Sequence, residues 1–326
     1  MVAGLIFFLL VFTFILIKSA DLIVLSLRRL STGTPAKVFI FSSIIVAMAT
    51  SFPELSVGVI SALEGTPHLS FGNVLGANIA NISLVAGLAA FIIGKVIVHG
   101  KFIRQEVAVA LVAGILPLIL AADGVLSRAD GIMLLIAYIA YTTSFFKLRF
   151  VQIAEELKEK TFFYRFYRHV IHTQISVSKT KEIGRLLAGM AILTVSADIL
   201  VKIAERLAEA AEVPIFLIGL ILVSIGTTLP EVAFSLRSLK DKEPMMFFGN
   251  LLGSIIANST LILGLASLIY PIQITMDEKT WVAAFTFPLV FLLFWFFIKT
   301  KLRLERWEAG LLLLVYIAFV VLEFAR

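Results

Sequence analysis

The chain has 326 residues, of which 60% are hydrophobic and only 15% charged, with 28 Lys and Arg against 22 Asp and Glu. Apolar runs of this length exceed what a soluble core absorbs, so the composition reads as a polytopic membrane protein. There is no Cys, which removes disulfides, thiolate zinc sites and thiol catalysis from consideration.

A helix needs about 20 apolar residues to cross the hydrocarbon. In chain order, candidate spans fall near 2–17, 38–62, 71–94, 107–122, 131–146, 187–203, 213–236, 247–270, 280–298 and 307–325. The segments are continuously apolar rather than alternating, which predicts helices and not barrel strands. The predicted fold is therefore an all-α integral membrane protein with ten transmembrane helices. The opening "MVAGLIFFLLVF" lacks a positive n-region and predicts a retained span with its N-terminus outside. On that orientation most Lys and Arg fall on the inner side, nine of them from Lys147 to Arg185, as the positive-inside rule requires. The formal charge of +6 then points to anionic lipid as a partner and not to nucleic acid. The four His residues, His68, His99, His169 and His172, fall in predicted connections, which argues against a histidine relay within the bilayer.

A single offset of 177 residues aligns the two halves without a gap. Ser19, Ala20 and Asp21 match Ser196, Ala197 and Asp198; Thr50, Pro53 and Glu54 match Thr227, Pro230 and Glu231. "FGNVLGANIAN" at 71–81 matches "FGNLLGSIIAN" at 248–258. Shared Pro-Glu and Gly-Asn pairs in constant register are more than apolar composition produces. Five spans per repeat is an odd number, so the second copy inserts inverted relative to the first, an arrangement of secondary transporters. The predicted division is a first five-helix repeat at 1–146, a basic cytoplasmic linker at 147–186 and a second, inverted repeat at 187–326. Asp21 and Asp198, near the ends of matched spans, are read as structural.

Pro53 and Pro230 sit within spans, and each lacks the N–H that would bond the carbonyl four residues earlier, that of Ala49 or Gly226. A freed carbonyl in hydrocarbon is costly unless something satisfies it, and an intramembrane Glu faces a cavity or a partner. Glu54 and Glu231, the freed carbonyls and the hydroxyls of Thr50, Ser51, Thr227 and Thr228 make an all-oxygen set suited to hard cations such as calcium and sodium. On the second repeated motif, Asn73, Ala77 and Asn81 share one helical face, as do Asn250, Ser254 and Asn258. Asn81, Asn258 and Ser254 are taken into the expected site, and Gly72, Gly76, Gly249 and Gly253 into close helix packing.

"ATSFPE" with "GNVLGANIAN", and "GTTLPE" with "GNLLGSIIAN", resemble the two α-repeats of the calcium/cation antiporter superfamily, most closely its sodium/calcium exchanger branch. The resemblance covers both halves. It implies Glu54 and Glu231 as shared calcium and sodium ligands, Thr50 and Thr227 as carbonyl ligands, and Ser51 and Thr228 as hydroxyl ligands. Ala47 and Ser224 would offer carbonyls toward flanking sodium sites. The chain departs from the family pattern at Asn258, where an acidic residue is common, at Ala77, where serine is, and at Ile255 in "GSIIA". The resemblance implies an antiporter that exchanges sodium for calcium by alternating access, without cofactors. The spans hold no Ser-His, Cys-His or metal-ligand His constellation, so no enzymatic activity is expected; the small connections point to a plasma membrane, and the sequence leaves the oligomeric state open, a monomer being the expectation. The alternatives are proton/calcium exchange at the same site and, more distantly, a cation channel.

Overall fold

The computed structural model describes residues 2–30, 51–97, 101–159, 179–240, 244–274 and 278–325. Its helices are α1 (Val2–Leu30), α2 (Phe52–Leu63), α3 (Pro67–Ile93), α4 (Lys101–Leu120), α5 (Arg128–Glu159), α6 (Lys179–Ala211), α7 (residues 215–227), α8 (Leu229–Lys240), α9 (residues 244–269), α10 (Glu278–Lys301) and α11 (Arg306–Ala325). Among the described residues, seven helical stretches are long and apolar enough to cross a membrane. The first half of the predicted span at 38–62 lies outside the described residues. The molecule is a multi-pass, all-α membrane protein.

The stretch expected to be a basic linker is helical at both ends, α5 continuing to Glu159 and α6 beginning at Lys179. Polar residues there do not interrupt the helix, since Lys, Glu and Arg are good helix formers. His68 stands in the first turn of α3 and not in a connection, because Pro67 opens that helix at a position where a missing N–H costs nothing. The two helical repeats are also joined by short ladders: β1 (Lys95–Ile97) pairs with β4 (Arg303–Glu305), and β2 (Val125–Leu126) with β3 (Ile272–Gln273), both antiparallel.

Helix contacts follow the 177-residue offset. The α3 segment 86–93 packs on α11, and the α9 segment 263–269 packs on α5; α2 meets that α9 segment as α8 meets that α3 segment. Each contact is the other with the repeats exchanged, as are the two ladders. The self-paired members are α1 and α6, which pack together along their length around Leu9, Leu16, Ile23, Leu193, Ala197 and Leu200. The larger core gathers α3, α4, α9, α10 and α11, with Phe247, Phe248, Phe287, Phe291 and Phe294 fully buried. Outward faces carry Phe7, Phe14, Val112, Ile119, Phe285 and Ile317, all exposed, as expected of helices whose surroundings are lipid. Asp21 and Asp198 form exposed ion pairs with Lys18 and Lys202, consistent with a structural role and worth little energetically.

Helices α3 and α7 cross closely. A Cβ at Gly76 would lie 1.9 Å from the Leu220 carbonyl oxygen, and one at Gly72 would lie 2.2 Å from that of Phe216. Only glycine permits the approach. It brings the first repeat's asparagine face against the second repeat's broken helix.

Candidate functional site

Both Pro-Glu motifs open a helix. Ser51 precedes α2 with φ −91° and ψ 3°, and its repeat mate Thr228 separates α7 from α8 with φ −82° and ψ −1°. This sparsely populated region between helix and strand is common at functional residues. The two prolines then occupy the first turn of the helices that follow, where their missing N–H is tolerated. Across the second break Thr228 N–H bonds Ser224 O at 3.0 Å and Val232 N–H bonds Thr228 O at 3.1 Å. Three π-helical stretches flank the same level: Ile218–Val223 before Ser224, Asn81–Val85, and Ala257–Ile262 around Asn258. Such irregularities redirect side chains and recur at functional sites.

The helix openings place both glutamates inside the protein: Glu54 is 0% and Glu231 1% exposed. Ser254 Oγ meets Glu231 Oε1 at 3.5 Å and also accepts from Ser51 Oγ at 3.3 Å, so a hydroxyl of the first repeat reaches the second glutamate through α9. Thr227 lies close enough to act on Glu54 from the opposite repeat, yet among the described residues no donor meets either Glu54 oxygen at hydrogen-bonding distance and angle. The asymmetry has a local cause. Where α9 carries Ser254, α3 carries Ala77, which has no hydroxyl to offer.

Thr227 Oγ1 is also 3.3 Å from Asn73 Oδ1 and from Ser224 O. Thr228 Oγ1 donates to Ser224 O at 2.9 Å, so the Ser224 carbonyl expected to face a flanking ion already accepts two bonds from Thr228. Asn81 is buried, with neither amide atom partnered among the described residues. Asn258 donates from Nδ2 to Asn78 Oδ1 at 3.2 Å, and Asn78 donates from Nδ2 to Ser259 Oγ at 2.7 Å. Thr50 and Ala47 lie outside the described residues. Sequence reasoning missed Asn73 as a partner of Thr227, and missed Asn78 and Ser259 altogether. The last two have isoleucines, Ile255 and Ile82, at their repeat mates, so a search for repeated polar residues passes over them.

Among the described residues no three His, Cys, Asp or Glu side chains gather. Buried carboxylates, hydroxyls and amides between discontinuous helices of a multi-pass bundle define a membrane transporter for small cations. The family model for sodium/calcium exchanger proteins matches residues 4–147 and 181–325, and the chain belongs to that family of ion exchangers. It is 26% identical to the sodium/calcium exchanger MaX1 of Methanosarcina acetivorans, over 95% of each chain. It is 30% identical to the inner membrane protein YrbG of Escherichia coli, covering 80% of this chain and 78% of that one. Among solved structures it is similar to the sodium-calcium exchanger NCX_Mj soaked with sodium and strontium, at 27% identity and a TM-score of 0.63, covering 98% of this chain and 99% of that one.

Proposed function

We propose that the protein is a secondary active antiporter that exchanges sodium for calcium at one central site held by Glu54 and Glu231. The observation that carries this reading is the pair of buried carboxylates at matched helix openings, surrounded by hydroxyls and amides, in a member of the exchanger family. Thr50, Ser51, Thr227, Thr228, Ser254, Asn81 and Asn258 complete the oxygen set, with Ala47 and Ser224 one turn earlier.

Charge supplies the mechanism. An empty pocket with two ionised carboxylates is costly to seal away from water, so the protein switches between its two openings only when cations neutralise it. Calcium brings the pocket to zero. Three sodium ions bring it to +1, because Asn258 is neutral, so exchange by this stoichiometry moves charge. The topology proposed with this mechanism is ten spans in two inverted repeats, divided at 147–186, with the N-terminus outside, in the plasma membrane. The exchange of contacts between repeats and the matched helix openings support it.

The test is calcium uptake into proteoliposomes holding internal sodium and diluted into sodium-free buffer. Uptake that requires the sodium gradient is expected. Uptake driven by a pH gradient alone would reassign the coupling ion to the proton, and calcium conductance without countertransport would indicate a channel.

A further inference from the structure

The two asparagines that end the repeated motifs are not equivalent. Asn258, 1% exposed, is tied through its Nδ2 to Asn78 Oδ1 at 3.2 Å, while its own Oδ1 is buried without a partner among the described residues. Asn78 in turn donates from its Nδ2 to Ser259 Oγ at 2.7 Å, which leaves its Oδ1 for Asn258. Asn81, the mate of Asn258, has no such support: the positions that correspond to Asn78 and Ser259 are Ile255 and Ile82, both fully buried and apolar.

The difference matters because a carboxamide has two unlike ends. A carboxylate presents oxygen in either orientation, whereas an Asn presents a cation with a carbonyl oxygen in one orientation and an N–H dipole in the other. Turning it costs little in the absence of a fixed partner. Ser254, one turn before Asn258 on the same helix, contacts Glu231, so Asn258 shares the helix face that meets that glutamate.

We propose that Asn78 is a positioning residue that holds the Asn258 carboxamide with Oδ1 toward the transported cation, making this neutral side chain a one-oxygen ligand for a monovalent ion. The inference rests on the two-glutamate exchange site proposed above. It explains why a polar pair occurs on one side of the pseudo-symmetric pocket and an apolar pair on the other. Asn78 does not itself touch the ion. Its effect passes through the amide it orients.

A double-mutant cycle in proteoliposomes tests this, reading half-saturating internal sodium for calcium uptake in wild type, Asn78→Leu, Asn258→Asp and the double variant. Loss of the orienting hydrogen bond should raise half-saturating sodium about fivefold in Asn78→Leu. In the Asn258→Asp background the same substitution should shift it less than about twofold, because a carboxylate needs no orientation. Equal shifts in both backgrounds, the signature of a packing effect, would overturn the proposal, as would no shift in either. Thermal melting in detergent reports whether Asn78→Leu folds. If it does not, Ser259→Ala decides: a smaller rise that disappears with Asn258→Asp supports the role, and unchanged sodium dependence refutes it. Should wild-type uptake follow a pH gradient instead of sodium, the sodium coupling fails while the same cycle, read on half-saturating calcium, still tests Asn78.

Discussion

Replacing Glu54 by Gln should separate the stability of the empty protein from its ability to hold cations. Glu54 is fully buried, and among the described residues no donor meets either carboxylate oxygen in hydrogen-bonding geometry. An ionised carboxylate in that position carries a penalty of roughly several kcal/mol that a bound cation offsets. Glu54→Gln keeps the shape and removes the charge, so the cation-free variant should melt at or above the wild-type temperature. Calcium at about 100 times its dissociation constant adds about 2.7 kcal/mol to a protein that binds it only when folded. At about 2 °C per kcal/mol, the low end for larger chains, that is a rise of about 5 °C for wild type. The variant should show none. The assay is thermal unfolding in detergent, in alkaline buffer that favours the ionised carboxylate, with chelator and then with calcium. A variant that melts well below wild type in chelator and still gains about 5 °C with calcium would refute the reasoning.

Gly76→Ala should destabilise the protein by about 1–3 kcal/mol or more, because the new Cβ meets the Leu220 carbonyl oxygen at 1.9 Å and backbone cannot yield as a side chain does. Gly4→Ala, where nothing lies within 4 Å, should be neutral or slightly stabilising in the same melting experiment. Ser254→Ala removes the hydroxyl between Ser51 and Glu231, and the long contacts of 3.3 and 3.5 Å set its effect at about 1 kcal/mol, read as about fivefold weaker half-saturation by calcium. Either Glu54→Gln or Glu231→Gln should abolish sodium-driven calcium flux in vesicles, and normal flux in either would remove that residue from the site.

The proposed cation site places two demands on the chain that pull against each other. The carboxylates must be buried so that ions cannot leak past, and they must remain unsatisfied enough for an ion to be worth binding. Glu54 meets the second demand more fully than Glu231, because Ala77 offers nothing where Ser254 offers a hydroxyl. Pro53 and Pro230 reconcile the two by opening a helix inside the bundle, so that backbone and side-chain oxygens face one another and not lipid.

By itself the sequence determined the class of protein, the approximate places of its apolar helices and the register of the two repeats, and it supplied the residues proposed for the centre of the site. It could do so because lipid imposes its polarity on every residue of a span, and because Glu54 and Glu231, Pro53 and Pro230, or Asn81 and Asn258 recur at one offset. Helix ends were less legible: α5 and α6 run past their apolar portions into the basic connection, where helix propensity continues after hydrophobicity stops. Only the tertiary structure decided which polar atoms meet. Asn78 with Ser259, Asn258 with Asn78, and Ser51 with Ser254 join residues 181, 180 and 203 positions apart. The first two break the repeat that makes the rest of the site visible. A periodic pattern records the environment shared by a whole segment, whereas a hydrogen bond across the pocket depends on two particular side chains brought together by the crossing of distant helices.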